Sequence, residues 1–217
     1  MAHVQGKVNM NKGNILKKFG RENYKLANDT YVMGIHQILG THIAQRFADC
    51  DIILEACTGA GFMLIPLAQN VKKVITVEIN SEHLKQAKNN IKIAGVNSKI
   101  RFILGNILED KVMKKIPKID AAFLDPDWAE AGKSKSAHAT KLSSMQPPAD
   151  ILLNKTIKKT PNVALRLPKE LNLRELRKVP PHELEKIYLD NDFKFYCAYF
   201  GKLARKIGRT RFEAFTL

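Results

Sequence analysis

The sequence predicts an α/β fold built on a mostly parallel sheet with helices on both faces. Three observations carry this expectation. Short apolar, strand-like runs alternate with helix-like segments from residue 51 to residue 168, the order that generates a parallel sheet. A glycine-containing turn, "CTGAGF" (57–62), follows the first run directly, as at the ligand-binding turn of nucleotide folds. The chain ends in two alternating, aromatic runs, 193–201 and 209–217. They are separated too briefly for a crossover helix and should close as an antiparallel hairpin at one end of the sheet.

A length of 217 residues fits one domain with a small appendage. Residues 1–48 are expected to be an N-terminal helical extension, and 49–217 the main domain. A hydrophobic content of 45% and a charged content of 26% are those of an ordinary globular protein. No apolar run approaches the roughly 18 residues that span a bilayer, and the first residues lack the apolar core of a secretory signal. No membrane partner is expected. The expected location is cytoplasmic, or nuclear or nucleolar in a eukaryote. Cys50, Cys57 and Cys197 show no CxxC spacing, so they read as free thiols, with no structural metal.

The net charge is +15. It is uneven: +4 over 1–49, +3 over 50–150 and +8 over 151–217. Such an excess favours polyanions through counterion release. RNA is the expected partner, held by a basic surface that includes the C-terminal tail and the loop after Trp128.

The elements follow in order. Residues 14–27 read as a short basic helix. In 34–48, Ile35, Ile38, Leu39, His42 and Ile43 recur at helical spacing, and Phe47 extends the stripe. "DIILEAC" (51–57) is a short apolar strand. "GFMLIPLAQN" (61–70) reads as a helix with Pro66 near its start. "KKVITVEI" (72–79) is the second strand. Ser81 is expected to cap the next helix and Gly95 to stop it. "KIRFILGN" (99–106) and "KIDAAFLD" (118–125) are the third and fourth strands. Pro147 and Pro148 open a helix, and "NVALRLP" (162–168) is the fifth strand. Pro180 and Pro181 are read as opening another helix, "PPHELEKIYLDN" (180–191).

In parallel sheets ligands bind beyond the carboxyl ends of the strands. That edge collects the polar residues of interest. Gly59 and Gly61 let the backbone turn sharply and approach a ligand. Glu55, just inside the first strand end, suits a cationic amine. Glu78 ends the second strand, where a carboxylate can accept both ribose hydroxyls. Asn106 offers an amide to an adenine edge. Cys57 and Thr58 of the turn, Ile79 and Ile107 beside the polar residues, and Asp125 at the end of the fourth strand complete the expected cofactor set. The turn has no Walker lysine and no third glycine, so an adenosine ligand without a phosphate cradle is expected. S-adenosylmethionine fits this set better than NAD.

The fourth strand ends in "DPDW": Asp125, Pro126, Asp127 and Trp128. Here the order of motifs resembles class I S-adenosylmethionine-dependent methyltransferases, and among them the trimethylguanosine synthase family of RNA cap guanine-N2 methyltransferases. Glu55, Gly59 and Gly61 match its acid–glycine turn. "VITVEI" with Glu78 matches its second strand, and Ala87, Asn90 and Gly95 its following helix. Phe102, Gly105 and Asn106 match its "F-x-x-G-D". "DAAFLDPDW" matches the strand that ends in its Ser-Pro-Pro-Trp motif. "NVALRLP" and "CAYFG" (197–201) match its later strands, and "THIAQRF" (41–47) its upstream helix. The resemblance spans roughly residues 31 to 203. Asp127 stands where the family has proline, and Asn106 where it has aspartate.

The resemblance implies a Rossmann-like fold and methyl transfer from S-adenosylmethionine to the exocyclic amine of guanine in RNA. It implies that Trp128 stacks on the target base and that Tyr31 supplies a second ring, a clamp worth about 1–3 kcal/mol per base. Asp125 and the Pro126 carbonyl are candidate acceptors for the amine's N–H groups, and the role of Asp127 is open. Lys133 and Lys135 are candidate phosphate contacts. Three alternatives stay open: transfer to adenine N6, transfer to a protein side chain, and RNA binding without catalysis. Asp125 and Asp127 also read as a simple Asp-Pro turn, and Trp128 as a core aromatic.

Overall fold

The computed structural model describes residues 10–129 and 138–216 of the chain. Five strands form the parallel part of one sheet: β1 (Ile52–Ala56), β2 (Lys73–Glu78), β3 (Ile100–Leu104), β4 (Ala121–Leu124) and β5 (Val163–Pro168). Three more extend it: β6 (His182–Leu189), β7 (Asp192–Phe200) and β8 (Gly208–Ala214). The spatial order is β3-β2-β1-β4-β5-β7-β6-β8. The chain leaves β1 towards β2 on one side and returns through β4 on the other. That reversal opens a crevice at the carboxyl ends of β1 and β4, where ligands bind in such sheets.

β4 and β5 are buried along their whole lengths, so they read as continuous apolar runs rather than alternating ones. Helices α1 (Lys12–Phe19), α3 (Gln37–Ala44), α4 (Leu64–Asn70) and α5 (Ser81–Ala94) cover one face, packing Phe19, Leu39, Ile43, Leu67 and Ile91 with Ile53, Val74 and Phe123. Helices α6 (Asp110–Met113) and α7 (Ala149–Ile157) cover the other, packing Val112, Leu152 and Leu153 with Leu54, Ile75 and Leu124. The described N-terminal helices therefore share the core of the sheet. Short α2 (Asn28–Met33) lies between α1 and α3.

Pro66 falls in the first turn of α4, where its missing N–H leaves no intrahelical bond unmade. Asn80, not Ser81, caps α5: its Oδ1 accepts from Glu82 N–H at 2.9 Å and His83 N–H at 3.2 Å. Gly95 stops the helix in the left-handed region, at φ +78°.

One expected element is overturned. Residues 182–189 form strand β6, not a helix. The double proline resembles a helix start, and Leu184, Ile187 and Tyr188 fall at helical spacing. The strand is fixed instead by two buried acids on one face. Arg46, on the turn after α3, donates to both oxygens of Glu183 at 2.8 and 2.9 Å and to Glu185 at 3.3 Å. His42 meets Glu185 at 3.0 Å. Those partners are more than 130 residues away in sequence, so local pattern cannot reveal them.

This changes the hairpin. The antiparallel C-terminal hairpin is formed by β6 and β7 around Asp190 and Asn191, both at positive φ. β8 is not β7's partner. It runs along the outer edge of β6, parallel to it. The basic turn 201–207 thus lies near Asn162, whose Oδ1 accepts from Lys202 N–H at 2.9 Å. Asn162 precedes β5, so this turn sits at the sheet edge opposite the ligand crevice.

Candidate active site

The turn after β1 is shaped by residues at positive φ. Cys57 (φ +69°), Gly59 (φ +54°) and Gly61 (φ +85°) all occupy the left-handed region, which glycine enters without steric cost. The two glycines do different work. Gly59 has open space around it, and its N–H donates to Glu78 Oε2 at 2.9 Å. Gly61 presses against α5, where an added Cβ would lie 3.2 Å from Ala87 Cβ. Gly61 is therefore a packing residue and does not line the crevice.

The crevice is a cavity of about 730 Å³. Cys57, Thr58, Gly59, Glu78, Ile79, Asn106, Ile107 and Asp125 all line it. Glu78 is buried, and its other oxygen accepts from Asn80 N–H at 2.9 Å. Two backbone donors thus hold the carboxylate still while it faces the cavity. Ile79 is exposed and Ile107 buried, and both line the cavity. Asn106 Oδ1 accepts from Leu108 N–H at 2.9 Å, leaving the amide N–H₂ as a donor. A fixed diol acceptor between apolar walls, beside an amide, fits an adenosine group.

Glu55 does not line this cavity. It is buried beneath the turn, bonded to the Thr76 hydroxyl, which in turn meets Thr58 Oγ1. Burial pushes its carboxyl up to about 7. The expected direct contact with an amine is corrected accordingly: two threonine hydroxyls stand between Glu55 and the turn.

At the end of β4, Asp125 Oδ2 accepts from Arg166 Nη1 at 2.6 Å. Arg166 is buried at the end of β5, and its Nη2 donates to Met33 O at 3.0 Å. Its guanidinium lies 4.4 Å over the Trp128 ring and 4.9 Å over Phe195. Burial raises the Asp125 carboxyl above its ordinary range, and Arg166 holds that rise back. Among the described residues, Arg166 Nε and Trp128 Nε1 are both buried donors with no acceptor. Arg166 was not anticipated from the sequence. The signal was present: a lone arginine inside the apolar run "NVALRLP".

Pro126 is buried and Asp127 exposed, and both line the cavity. Asp127 Oδ1 accepts from Ala129 N–H at 2.9 Å. Its backbone pairs with Gln146, donating at 2.8 Å and accepting at 3.0 Å. Asp127 thus closes a local turn, which is how the loop keeps its shape without a second proline. His138 packs edge-on to Trp128 at 5.9 Å and reaches Glu170 at 3.0 Å. Lys133 and Lys135 lie outside the described residues.

A second cavity, of about 350 Å³, adjoins the first across Trp128 and Arg166, which line both. Tyr31 lines this second space, not the first. Lys17, Lys18 and Lys194 line it with Arg166, and Asp190 is the one acid in its lining. Lys18 Nζ donates to Tyr31 O at 2.5 Å and sits 4.8 Å from that ring's centroid. Burial, then the like charges of Arg166 and Lys194, push the Lys18 ammonium down to about 8. Among the described residues, no group of His, Cys, Asp and Glu could hold a metal ion, and no helix is long and apolar enough to cross a membrane.

Comparison with known proteins extends this picture. Over 77 residues, the chain is 38% identical to an uncharacterized RNA methyltransferase of Oceanobacillus iheyensis, a match covering 36% of this chain and 16% of that protein. The chain thus spans only a small part of this curated relative. A putative methyltransferase of Porphyromonas gingivalis superposes with a TM-score of 0.73 at 14% identity, covering 88% of this chain and 47% of that one. TrmK of M. capricolum, solved with S-adenosylhomocysteine, superposes with a TM-score of 0.55 at 18% identity, covering 81% and 70%. Both likenesses establish the fold, that of class I methyltransferases. The model of one family matches residues 50–203, most of the chain, from just before β1 into the turn after β7. On that match the chain belongs to the RNA cap guanine-N2 methyltransferase family.

Proposed function

We propose that this chain methylates an exocyclic amine of an RNA base, guanine N2 foremost, using S-adenosylmethionine. The observation that carries the reading is the junction at Trp128. An adenosine-sized cavity and a cationic cavity meet there, and Asp125, in the lining of the first, is bonded to Arg166, which lines both. Family membership supports guanine N2 over other amines.

The cofactor supplies an activated methyl group on a sulfonium. The chain's own residues position the acceptor, and positioning accounts for much of the acceleration in such transfers. An amine conjugated to a base is a weak nucleophile because its lone pair is delocalised. Asp125 Oδ1, left open by Arg166, accepts one amine N–H, and the Pro126 carbonyl accepts the other. Both bonds favour a pyramidal nitrogen with its lone pair aimed at the methyl. Trp128, backed by Arg166, stacks on the base, and Glu78 holds the ribose of the cofactor.

The test has two arms. Calorimetry with S-adenosylhomocysteine should show saturable binding. Methyl transfer to RNA, followed by nucleoside digestion, should yield N2-methylguanosine. Recovery of N6-methyladenosine alone would sink the guanine assignment. A labelled protein fraction with unlabelled RNA would sink the RNA assignment. Cofactor and RNA binding with no transfer would mean a non-catalytic binder.

A further inference from the structure

Beyond the hairpin that rims the cationic cavity, the sheet presents a second surface. Along β6, Glu185, Ile187 and Leu189 face the helices of the first layer, while Lys186 and Tyr188 face the opposite way. On β8, Arg209 stands beside Leu184 and Arg211 beside Lys186 in parallel register. Side chains in such register share one face. Phe193 joins them from β7, its centroid 5.2 Å from Tyr188 and 4.8 Å from Tyr196.

The chemistry of this face is aromatic and basic together. The Arg211 guanidinium lies 4.1 Å over Tyr188, and Lys186 Nζ lies 5.7 Å from the Phe193 centroid. Tyr188 and Phe193 are half-buried, and Arg209 and Arg211 are exposed. The one acid on this stretch of β8, Glu213, is bonded to Arg211 at 2.7 Å. Among the described residues, Lys186 and Arg209 have no acidic partner. β8 is the last strand of the sheet, and arginines on an edge discourage pairing with a second copy.

We propose that this face of β6, β7 and β8 binds single-stranded RNA, with bases on the Tyr188–Phe193 platform and phosphates on Lys186, Arg209 and Arg211. Continuity with the active site favours that occupant. Leu189 and Asp190, between Tyr188 and Phe193, and Lys194 and Phe195, just after Phe193, line the cationic cavity. A strand leaving the cavity over this hairpin meets the two rings first. The face then runs along β8, roughly 20 Å, toward the basic turn at the far edge. Duplex RNA is excluded, because stacking on side chains needs unpaired bases. The RNA identity of the polyanion rests on the proposed function, whereas the face itself does not.

The experiment is fluorescence anisotropy of a labelled single-stranded oligoribonucleotide of mixed sequence, with wild type, Tyr188→Leu/Phe193→Leu and Arg209→Ala/Arg211→Ala. S-adenosylhomocysteine binding and thermal melting serve as folding controls. The ring variant should lose about tenfold or more in affinity, the scale of one stacked base. The arginine variant should reduce the slope of log affinity against log salt by about 0.7 per residue. Unchanged affinity in both folded variants overturns the proposal. So does a loss in the arginine variant alone, which means an unspecific cationic surface, and so does equal binding of duplex RNA. A dimer in light scattering that Arg209→Glu dissociates would assign the face to a second copy instead. If wild type binds no RNA at all, the proposed function fails with it. If wild type binds and both variants bind equally, only the face is lost.

Discussion

Arg166 Nη1 and Asp125 Oδ2 lie 2.6 Å apart at the carboxyl ends of neighbouring strands β5 and β4. The pair fixes one oxygen of the carboxylate, and in the proposed function the other accepts from the substrate amine. It also sets the acid's charge state, because burial alone would push Asp125 towards neutrality.

Replacing Arg166 with Met should therefore do two things. It leaves a half-buried carboxylate without its partner, which lowers stability. It also raises the Asp125 pKa further, so the rise of kcat/KM with pH moves to higher pH. Thermal melting and a pH–rate profile check both. Arg166→Lys should restore part of the charge effect but not the contact with Met33 O. An unmoved pH profile in a folded Arg166→Met protein would remove Arg166 from this role.

The Arg46 network predicts acid sensitivity. Burial opposes the charge on Glu183, but Arg46, the Arg205 N–H and the Thr210 hydroxyl hold its carboxyl down at about 2. A depressed folded pKa stabilises above the ordinary value of 4.5 and is lost as pH falls through about 2. Melting temperature should drop steeply over that window. Glu183→Gln should be less stable at neutral pH and show a flatter drop.

Glu55 carries the opposite sign. Its folded carboxyl titrates near 7 against an ordinary 4.5, because burial penalises the charge. The folded protein holds a proton that the unfolded chain releases, so stability declines as pH rises across that interval. Denaturant unfolding of the protein without ligand at pH 5 and pH 8 should show this decline. Glu55→Gln, which keeps an uncharged partner for Thr76, should abolish it.

The two turn glycines should separate by readout. Gly61→Ala meets both positive φ and Ala87, so it should lower stability by more than the roughly 1–2 kcal/mol of a left-handed residue alone. Gly59→Ala meets only the backbone penalty. Its main loss should be S-adenosylhomocysteine affinity, read by calorimetry, because a backbone that leaves φ +54° re-aims the N–H that holds Glu78.

Much of this architecture is legible in sequence because apolar runs and helix periods are local signals. β1 to β5, the turn glycines and Glu78 all follow from them. What escapes is what depends on distant partners. Pro180 and Pro181 mimic a helix start before β6, and the partners that fix Glu183 and Glu185 as strand residues, Arg46 and His42, are far away in sequence. The hairpin partner of β7 was misplaced for the same reason. Arg166 was visible only as a lone charge in an apolar strand, and its target lies 41 residues away across the sheet. Glu55 was read at the right strand end but on the wrong side of it, since its neighbour Thr76 belongs to β2. Asp127, the departure from the family motif, proved to be a turn-closing residue that pairs with Gln146.

In the proposed function Asp125 serves methyl transfer rather than cofactor affinity. The direct measurement compares wild type with Asp125→Ala for tritiated methyl transfer to RNA and, in parallel, for S-adenosylhomocysteine binding by calorimetry. Wild type should transfer methyl, and the variant should show no detectable transfer with cofactor affinity within a few fold of wild type. Full transfer by the variant, or equal loss of binding and transfer in a folded protein, would contradict that role.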